Sequence, residues 1–423
     1  MEYAIAAASV IFVFTYVLIS IRRVGRITLE MPAVALFGAA LMIGLGVVSP
    51  SQALEAINLN VVILLMGMML MVAGLEVCGF FDYVSIRAAA RARSGAHFLV
   101  MLMISTAVLS ALVLNDTIVL LMTPIVIKSC RSLGLNPVPF LVGEAIAANA
   151  GSVATEVGNP QNAYIGIQSG IPFLDYSAVM VPITAMCLAI AILLTWFAFR
   201  RELSRQIDRT NQPAPIRQPL MQKRGLYFVF VVLIWAVIAF LLSTPSWLPL
   251  IAFIGGGVVL FFLPAFAKAT YEGMIKRVDW SIIMFFIGLF VLLKGVEVSG
   301  LLDVIVGGFK VVTGGGGGLW GFSGLTAVLS NLISNVPAVL LLGPTVATSF
   351  PGTEHFAWLT LAASSTLAGN ATILGAAANV IVAQSASSQG VELRMRDFVK
   401  AGLLVTVATL IAATAVLWAL SVL

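Results

Sequence analysis

Charge is what this chain has little of. Only 10% of its 423 residues are Asp, Glu, Lys or Arg, against about 25% in a typical soluble domain. Its apolar share is 60%, and its mean hydropathy is +1.07. Too few charges exist to coat a water-facing surface of this size. That excludes a cytosolic enzyme, a nucleic-acid binder and a disordered protein. Histidine is nearly absent, and His97 and His355 sit at the ends of apolar runs, a poor basis for a metal site. The cysteines Cys78, Cys130 and Cys187 lie far apart without a CxxC spacing, which removes a disulfide framework and a zinc site. No cofactor is expected.

Long apolar stretches are present instead. Runs of about 20 such residues can cross a bilayer, and they fall at roughly 4–21, 32–49, 58–79, 176–199, 225–243, 247–267, 279–298 and 398–422. The first run lacks a basic start and a small-residue cleavage site, so it reads as a span and not as a signal peptide. The basic residues cluster in alternate loops: Arg22, Arg23 and Arg26; Arg87, Arg91 and Arg93; seven between Arg200 and Arg224; Lys268, Lys276 and Arg277; Arg394 and Arg396. The positive-inside bias puts these loops in the cytoplasm and both termini outside. Lys310 is the one basic residue in the opposite set of loops. The chain is expected in the inner (plasma) membrane, in the lipid bilayer, with no nucleic-acid partner.

Two further apolar regions are interrupted. Region 97–132 starts and ends beside basic residues, so it enters from the cytoplasm, turns at Asn115-Asp116-Thr117 and returns as a re-entrant hairpin. Region 137–168 crosses outward with a break near Ala154–Asn162. Non-helical backbone at membrane depth is tolerated only where protein buries it or a cavity lies beside it, so each interruption marks a candidate site.

The halves repeat. Gly74-Leu-Glu76-Val-Cys-Gly79-Phe-Phe-Asp82 aligns with Gly295-Val-Glu297-Val-Ser-Gly300-Leu-Leu-Asp303, 221 residues on; Asn115 and Pro124 align with Asn335 and Pro344, 220 on. Ala154-Thr155-x-x-Gly158-x-x-x-Asn162 aligns with Ala371-Thr372-x-x-Gly375-x-x-x-Asn379, 217 on. Span 58–79 ends beside cytoplasmic arginines, whereas its partner 279–298 starts beside Lys276 and Arg277, so the repeats run in opposite directions. The expected fold is all-α: 10 transmembrane helices and two re-entrant hairpins in two inverted-topology repeats with broken helices. Repeat 1–199 holds hairpin 97–132 and broken helix 137–168. A cytoplasmic linker spans 200–224, and repeat 225–423 holds hairpin 318–350 and broken helix 356–386. Inverted repeats with broken helices mark secondary transporters with a site near the midplane.

The breaks carry the chemistry. Short helices starting near Asp116, Pro160, Pro337 and Ala376 would aim four partly positive N-termini at one cavity. Nearby stand Asn115, Thr117, Thr155, Asn159, Asn162, Ser334, Asn335, Asn370, Thr372 and Asn379, which can bind hydroxyls or replace a small ion's hydration. No basic residue joins them. Acids occur in one half only: Asp116 aligns with Val336 and Glu156 with Ile373. A midplane carboxylate is costly, so both are candidates for proton coupling or a cation site; the structural alternative is capping, for which Asp116 is well placed on its own helix. Glu144 is open between the two roles. Lys294 and Glu297 read as a surface ion pair, Gly314–Gly318 as a flexible loop, Gly255-Gly256-Gly257 as tight helix packing, and Met66, Met68, Met69 and Met71 as adaptable core.

Leu114-Asn115-Asp116 with Thr123-Pro124, Ser334-Asn335-Val336-Pro337, and the segments from Ala154 to Asn162 and Ala371 to Asn379 resemble the ion-transporter superfamily of arsenite pumps, sodium/proton antiporters and divalent-anion/sodium symporters. The hairpin tips look most like the arsenite-pump branch. That resemblance implies export of arsenite and antimonite against protons, sometimes with a cytosolic ATPase subunit. The symporter branch typically has Ser-Asn-Thr at both tips, and this chain does not. The leading expectation is therefore proton-coupled export of arsenite, a small neutral polyol suited to an amide-lined site. The alternative is a proton- or sodium-coupled transporter of an inorganic or carboxylate anion. No nucleophile–base pair or metal set supports an enzyme.

Overall fold

A bilayer core offers no water to bond with backbone groups, so a spanning chain must satisfy them within helices. The computed structural model follows that rule. It describes residues 2–21, 23–24, 27–204, 221–302, 304, 307 and 318–423. The described chain is helical apart from turns and one two-residue pairing of Arg23–Val24 with Ile27–Thr28. Arg22, Arg26, the linker arginines Arg205, Arg209 and Arg217, Asp303, Lys310 and glycines 314–317 lie outside the described residues.

Among the described residues, seven helices are long and apolar enough to cross a membrane: Leu59–Val77, Gly95–Leu112, Phe173–Ala198, Lys223–Leu242, Pro245–Phe266, Trp280–Val298 and Met395–Val422. The protein is a multi-pass membrane protein. Lys223–Leu242 shows why it needs lipid. One face buries Val229, Val232, Ala236 and Phe240, while the other exposes Tyr227, Val231, Ile234, Trp235, Ile238 and Leu242. A helix apolar on both its buried and its exposed face has hydrocarbon as solvent.

Two elements differ from expectation. The run at 32–49 folds as Met31–Gly44, 14 residues, which at 1.5 Å per residue is about 21 Å and shorter than a bilayer core. Gly46, at φ +71, turns the chain there, and Pro50 starts a new helix, Pro50–Ala56, with a capping box from Ser49 and Gln52. Conversely, Gly95–Leu112, expected as half of a re-entrant hairpin, is itself of spanning length. Ser94 caps it at His97 N, 3.1 Å, and the His97 ring accepts from Arg93 N, 3.2 Å.

The halves interlock reciprocally. Leu59–Val77 lies along Leu248–Phe266, and Trp280–Val298 along Met31–Gly44. A β-carbon on Gly67 would collide with the Ala252 backbone, and one on Gly288 would lie 2.7 Å from the Ala35 carbonyl carbon. Gly67 and Gly288 are 221 apart, and Ala35 and Ala252 are 217 apart, so one contact occurs twice. Arg277 Nε adds an ion pair to Glu76, 2.9 Å, between the halves.

Candidate functional site

Helix Val138–Ser152 stops before a turn, and Pro160–Ser169 resumes. Pro160 suits a first helical position because it lacks an N–H that would be unpaired there. Asn159 caps the new helix, accepting from Asn162 N at 2.8 Å. The carbonyls freed by stopping a helix need donors, and the Asn162 amide supplies them to Ser152 O at 3.0 Å and Thr155 O at 3.2 Å. The second break, between Glu354–Ala368 and Ala377–Ser388, has the same staple. Asn379 Nδ2 donates to Gly369 O at 2.7 Å and Thr372 O at 2.9 Å. All three positions sit 217 residues on. A β-carbon at Gly158 would strike Ser152 O, and one at Gly375 would lie 2.8 Å from Gly369 O.

Each hairpin tip docks on a break. Asn115 opens Asn115–Ser132 and donates its backbone N–H to Gly158 O, 2.9 Å. Asn335 opens Asn335–Leu342, and its side-chain amide donates to Ser365 O and Gly375 O, both 2.9 Å. Both helices begin slightly before the expected Asp116 and Pro337. Ser334 is held at φ 76, ψ 161, a region rarely occupied by residues with a side chain and costing about 1–3 kcal/mol. Asn149, which the motifs did not single out, ties the site together. It accepts from Asn115 Nδ2 at 3.2 Å and donates to Asn370 Oδ1 at 3.0 Å and Asn379 Oδ1 at 2.9 Å. Gln161 and Asn159 both donate to Thr366 Oγ1 at 3.2 Å. Thr366 is the 217-residue counterpart of Asn149; a polar residue at both copies of one apolar helix was the available signal.

A cavity of about 240 Å³ lies where these parts meet. Both tips reach it through Asn115, Asp116, Ser334, Asn335 and Val336, and both resumed helices through Pro160, Gln161, Ala376 and Ala377. It runs out to a rim with Glu30, Ser281 and Gln384, all exposed. The charged residues lining it are Glu30, Asp116 and Asp279, all acidic. Asp116 is buried on Asn115–Ser132, which packs along Ala377–Ser388. The N-cap of Ala377–Ser388, Ala376, offers no side-chain acceptor.

The other anticipated residues stand elsewhere. Asn159, Asn162, Asn370 and Asn379 are fully buried, bonded within the breaks. Thr155 donates to Ala111 O at 2.5 Å, and the Thr372 carbonyl accepts from Asn379. Thr117, half-buried, does not line the cavity. Glu156 does not either. It is fully buried beside Gly166, where a β-carbon would lie 2.6 Å from its Oε2, and neither oxygen has a partner among the described residues. The structure thus separates the two acids. Glu144 is buried and accepts from Thr123 Oγ1 at 3.0 Å. Lys294 and Glu297 form the expected ion pair, 2.9 Å, beside a second pocket that also includes Asn58 and Tyr164.

A multi-helix membrane bundle with paired helix breaks around a cavity that carries amide and carboxyl groups is the architecture of a membrane transporter. This chain belongs to the CitMHS citrate-transporter family, which it matches over residues 16–368. It is 32% identical to an uncharacterized transporter of Mycobacterium tuberculosis over 97% of each chain. It is 29% identical to the silicon efflux transporter LSI3 of Oryza sativa subsp. japonica over 83% of this chain and 84% of that one. Among solved structures it resembles the YdaH transporter of Alcanivorax borkumensis, with a TM-score of 0.59 at 14% identity, over 98% of this chain and 97% of that one.

Proposed function

We propose that the protein is a secondary transporter that exports arsenite or antimonite in exchange for protons, by alternating access between two inverted repeats. The observation that carries this reading is the polar part of the cavity lining: amides, two serine hydroxyls and three carboxylates, with no Lys, Arg or His among the described residues. A polyanion entering it would meet like charge. A small uncharged oxyhydroxide can hydrogen-bond to Asn115, Gln161, Ser334 and Asn335, and it exposes both donors and acceptors to do so. The relative described as a silicon efflux transporter supports export of that chemical class. Asp116 is the coupling residue in this scheme, since it is the buried acid in the cavity. Glu156, outside it, has a weaker claim. The basic loops put the rim in the cytoplasm, so the cavity faces inward. The proton gradient supplies the work.

The family's citrate description favours a second reading, proton- or sodium-coupled transport of a carboxylate. One experiment separates them. In everted vesicles, the first reading expects uphill arsenite accumulation driven by an acid-inside gradient and collapsed by a protonophore, together with arsenite resistance in a host lacking its own exporter. Sodium-driven citrate flux with no arsenite flux would replace it with the second.

A further inference from the structure

Asp279 and Asn58 occupy equivalent places, 221 residues apart, and do the same structural work. Asn58 Oδ1 caps Leu59–Val77 by accepting from Asn60 N at 3.1 Å and Val61 N at 3.3 Å. Asp279 Oδ1 caps Trp280–Val298 by accepting from Ser281 N at 3.0 Å and Ile282 N at 3.4 Å. Asn and Asp cap helices about equally well, so the cap does not explain the charge at Asp279. Asp116 shows the same asymmetry against Val336. Both acids face one cavity, while Asn58 lies in the separate pocket with Lys294 and Glu297.

Among the described residues, no cation pairs with Asp279. Lys276 pairs with Glu272 and Arg277 with Glu76, and Asp279 is in no ion pair among the described residues. The groups around it are Glu30 at the start of Met31–Gly44 and Asp116 on the hairpin arm; the resumed helices contribute Gln161 and Gln384, which do not titrate. Asp279 is half-buried toward the rim, and Asp116 is buried deeper. Asn115 Oδ1, buried in the same cavity wall, has no partner among the described residues, leaving an acceptor for a proton-bearing species.

We propose that Asp279 relays protons between water at the cavity mouth and Asp116. Its carboxylate takes a proton from water, passes it through cavity water to the Asp116 carboxylate, and is left charged again; release reverses the steps. The inference rests on the proton coupling proposed above.

The test uses the full-length protein in proteoliposomes with arsenite. Asp279→Asn keeps the cap, as Asn58 does, so its unfolding temperature matches wild type. Its proton-driven flux falls about tenfold or more and its pH profile flattens, while arsenite–arsenite exchange at equal pH stays within about twofold of wild type. Asp279→Glu, which retains a titrating carboxyl, recovers the flux. The converse variant Asn58→Asp leaves both fluxes unchanged. Asp279→Asn with wild-type proton-driven flux and pH profile overturns the relay alone. Wild-type flux that ignores the proton gradient overturns the coupling and the relay together.

Discussion

Replacing Asn379 by alanine should destabilise the protein more than the same change at Asn162. Asn379→Ala leaves Gly369 O and Thr372 O without donors and takes one acceptor from Asn149. Asn162→Ala strips two carbonyls, Ser152 O and Thr155 O, and its Oδ1 has no partner to lose. At about 1 kcal/mol per orphaned buried group, the losses are about 3 and about 2 kcal/mol. Taking instead about 0.6 kcal/mol, the average for side-chain hydrogen bonds in a bilayer, they fall to about 2 and about 1 kcal/mol, and the order survives. Asn379→Asp keeps the shape and removes both donors, so it should cost at least as much as alanine. The buried free thiols Cys78, Cys130 and Cys187 suit a thermal assay in detergent with a thiol-reactive dye. Asn379→Ala and Asn162→Ala both unfolding within about 0.5 kcal/mol of wild type, or a reversed order, would refute the reasoning.

Gly67→Ala should cost about 1–3 kcal/mol, because its β-carbon meets Ala252 backbone that no rotamer change can move aside. Gly257→Ala, with nothing within 4 Å of the new atom, should be neutral or gain up to about 1 kcal/mol from helix propensity; the same dye assay compares them. Asp116→Asn should abolish proton-driven arsenite flux without lowering the unfolding temperature, as measured in reconstituted vesicles. Replacing all three cysteines by alanine should leave arsenite flux intact, since they are buried apart from one another and none lines the cavity; lost flux in a folded triple variant would bring thiol ligation back.

Much of the architecture was legible because it rests on local rules. The breaks were visible from Pro160 and from the paired Gly158/Gly375 and Asn162/Asn379, since a chain that stops a helix in lipid must carry its own donors. The asparagine tips were visible for the same reason. What sequence spacing did not show was direction across the break. Asp116 and Glu156 looked equivalent as acids in one repeat, yet one faces the cavity and the other is buried beside Gly166. Nor could spacing bring the helix that carries Asp116 against Ala377–Ser388 of the opposite half. In sequence, the Gly255-Gly256-Gly257 run reads as one packing motif. In the structure, Gly255 and Gly256 face Met71 and Gly67, and Gly257 faces no neighbour.

The duplication and its exceptions divide the site's labour. What repeats at a fixed offset is backbone architecture: the Asn162 and Asn379 staples, the Gly158 and Gly375 approaches, the Gly67 and Gly288 crossings. What does not repeat is a part of the side-chain chemistry. Asn159 stands against Ala376, Gln161 against Ala378, Asp116 against Val336 and Asp279 against Asn58. A purely structural requirement would bind both copies equally, because both copies face the same geometry. The first-named member of each pair is not needed to make the breaks, for the other half builds or caps the same elements without it. Asn159 bonds to Thr366 across the halves, and the remaining three face the cavity. Three of the four unshared groups, Gln161, Asp116 and Asp279, occupy the cavity wall.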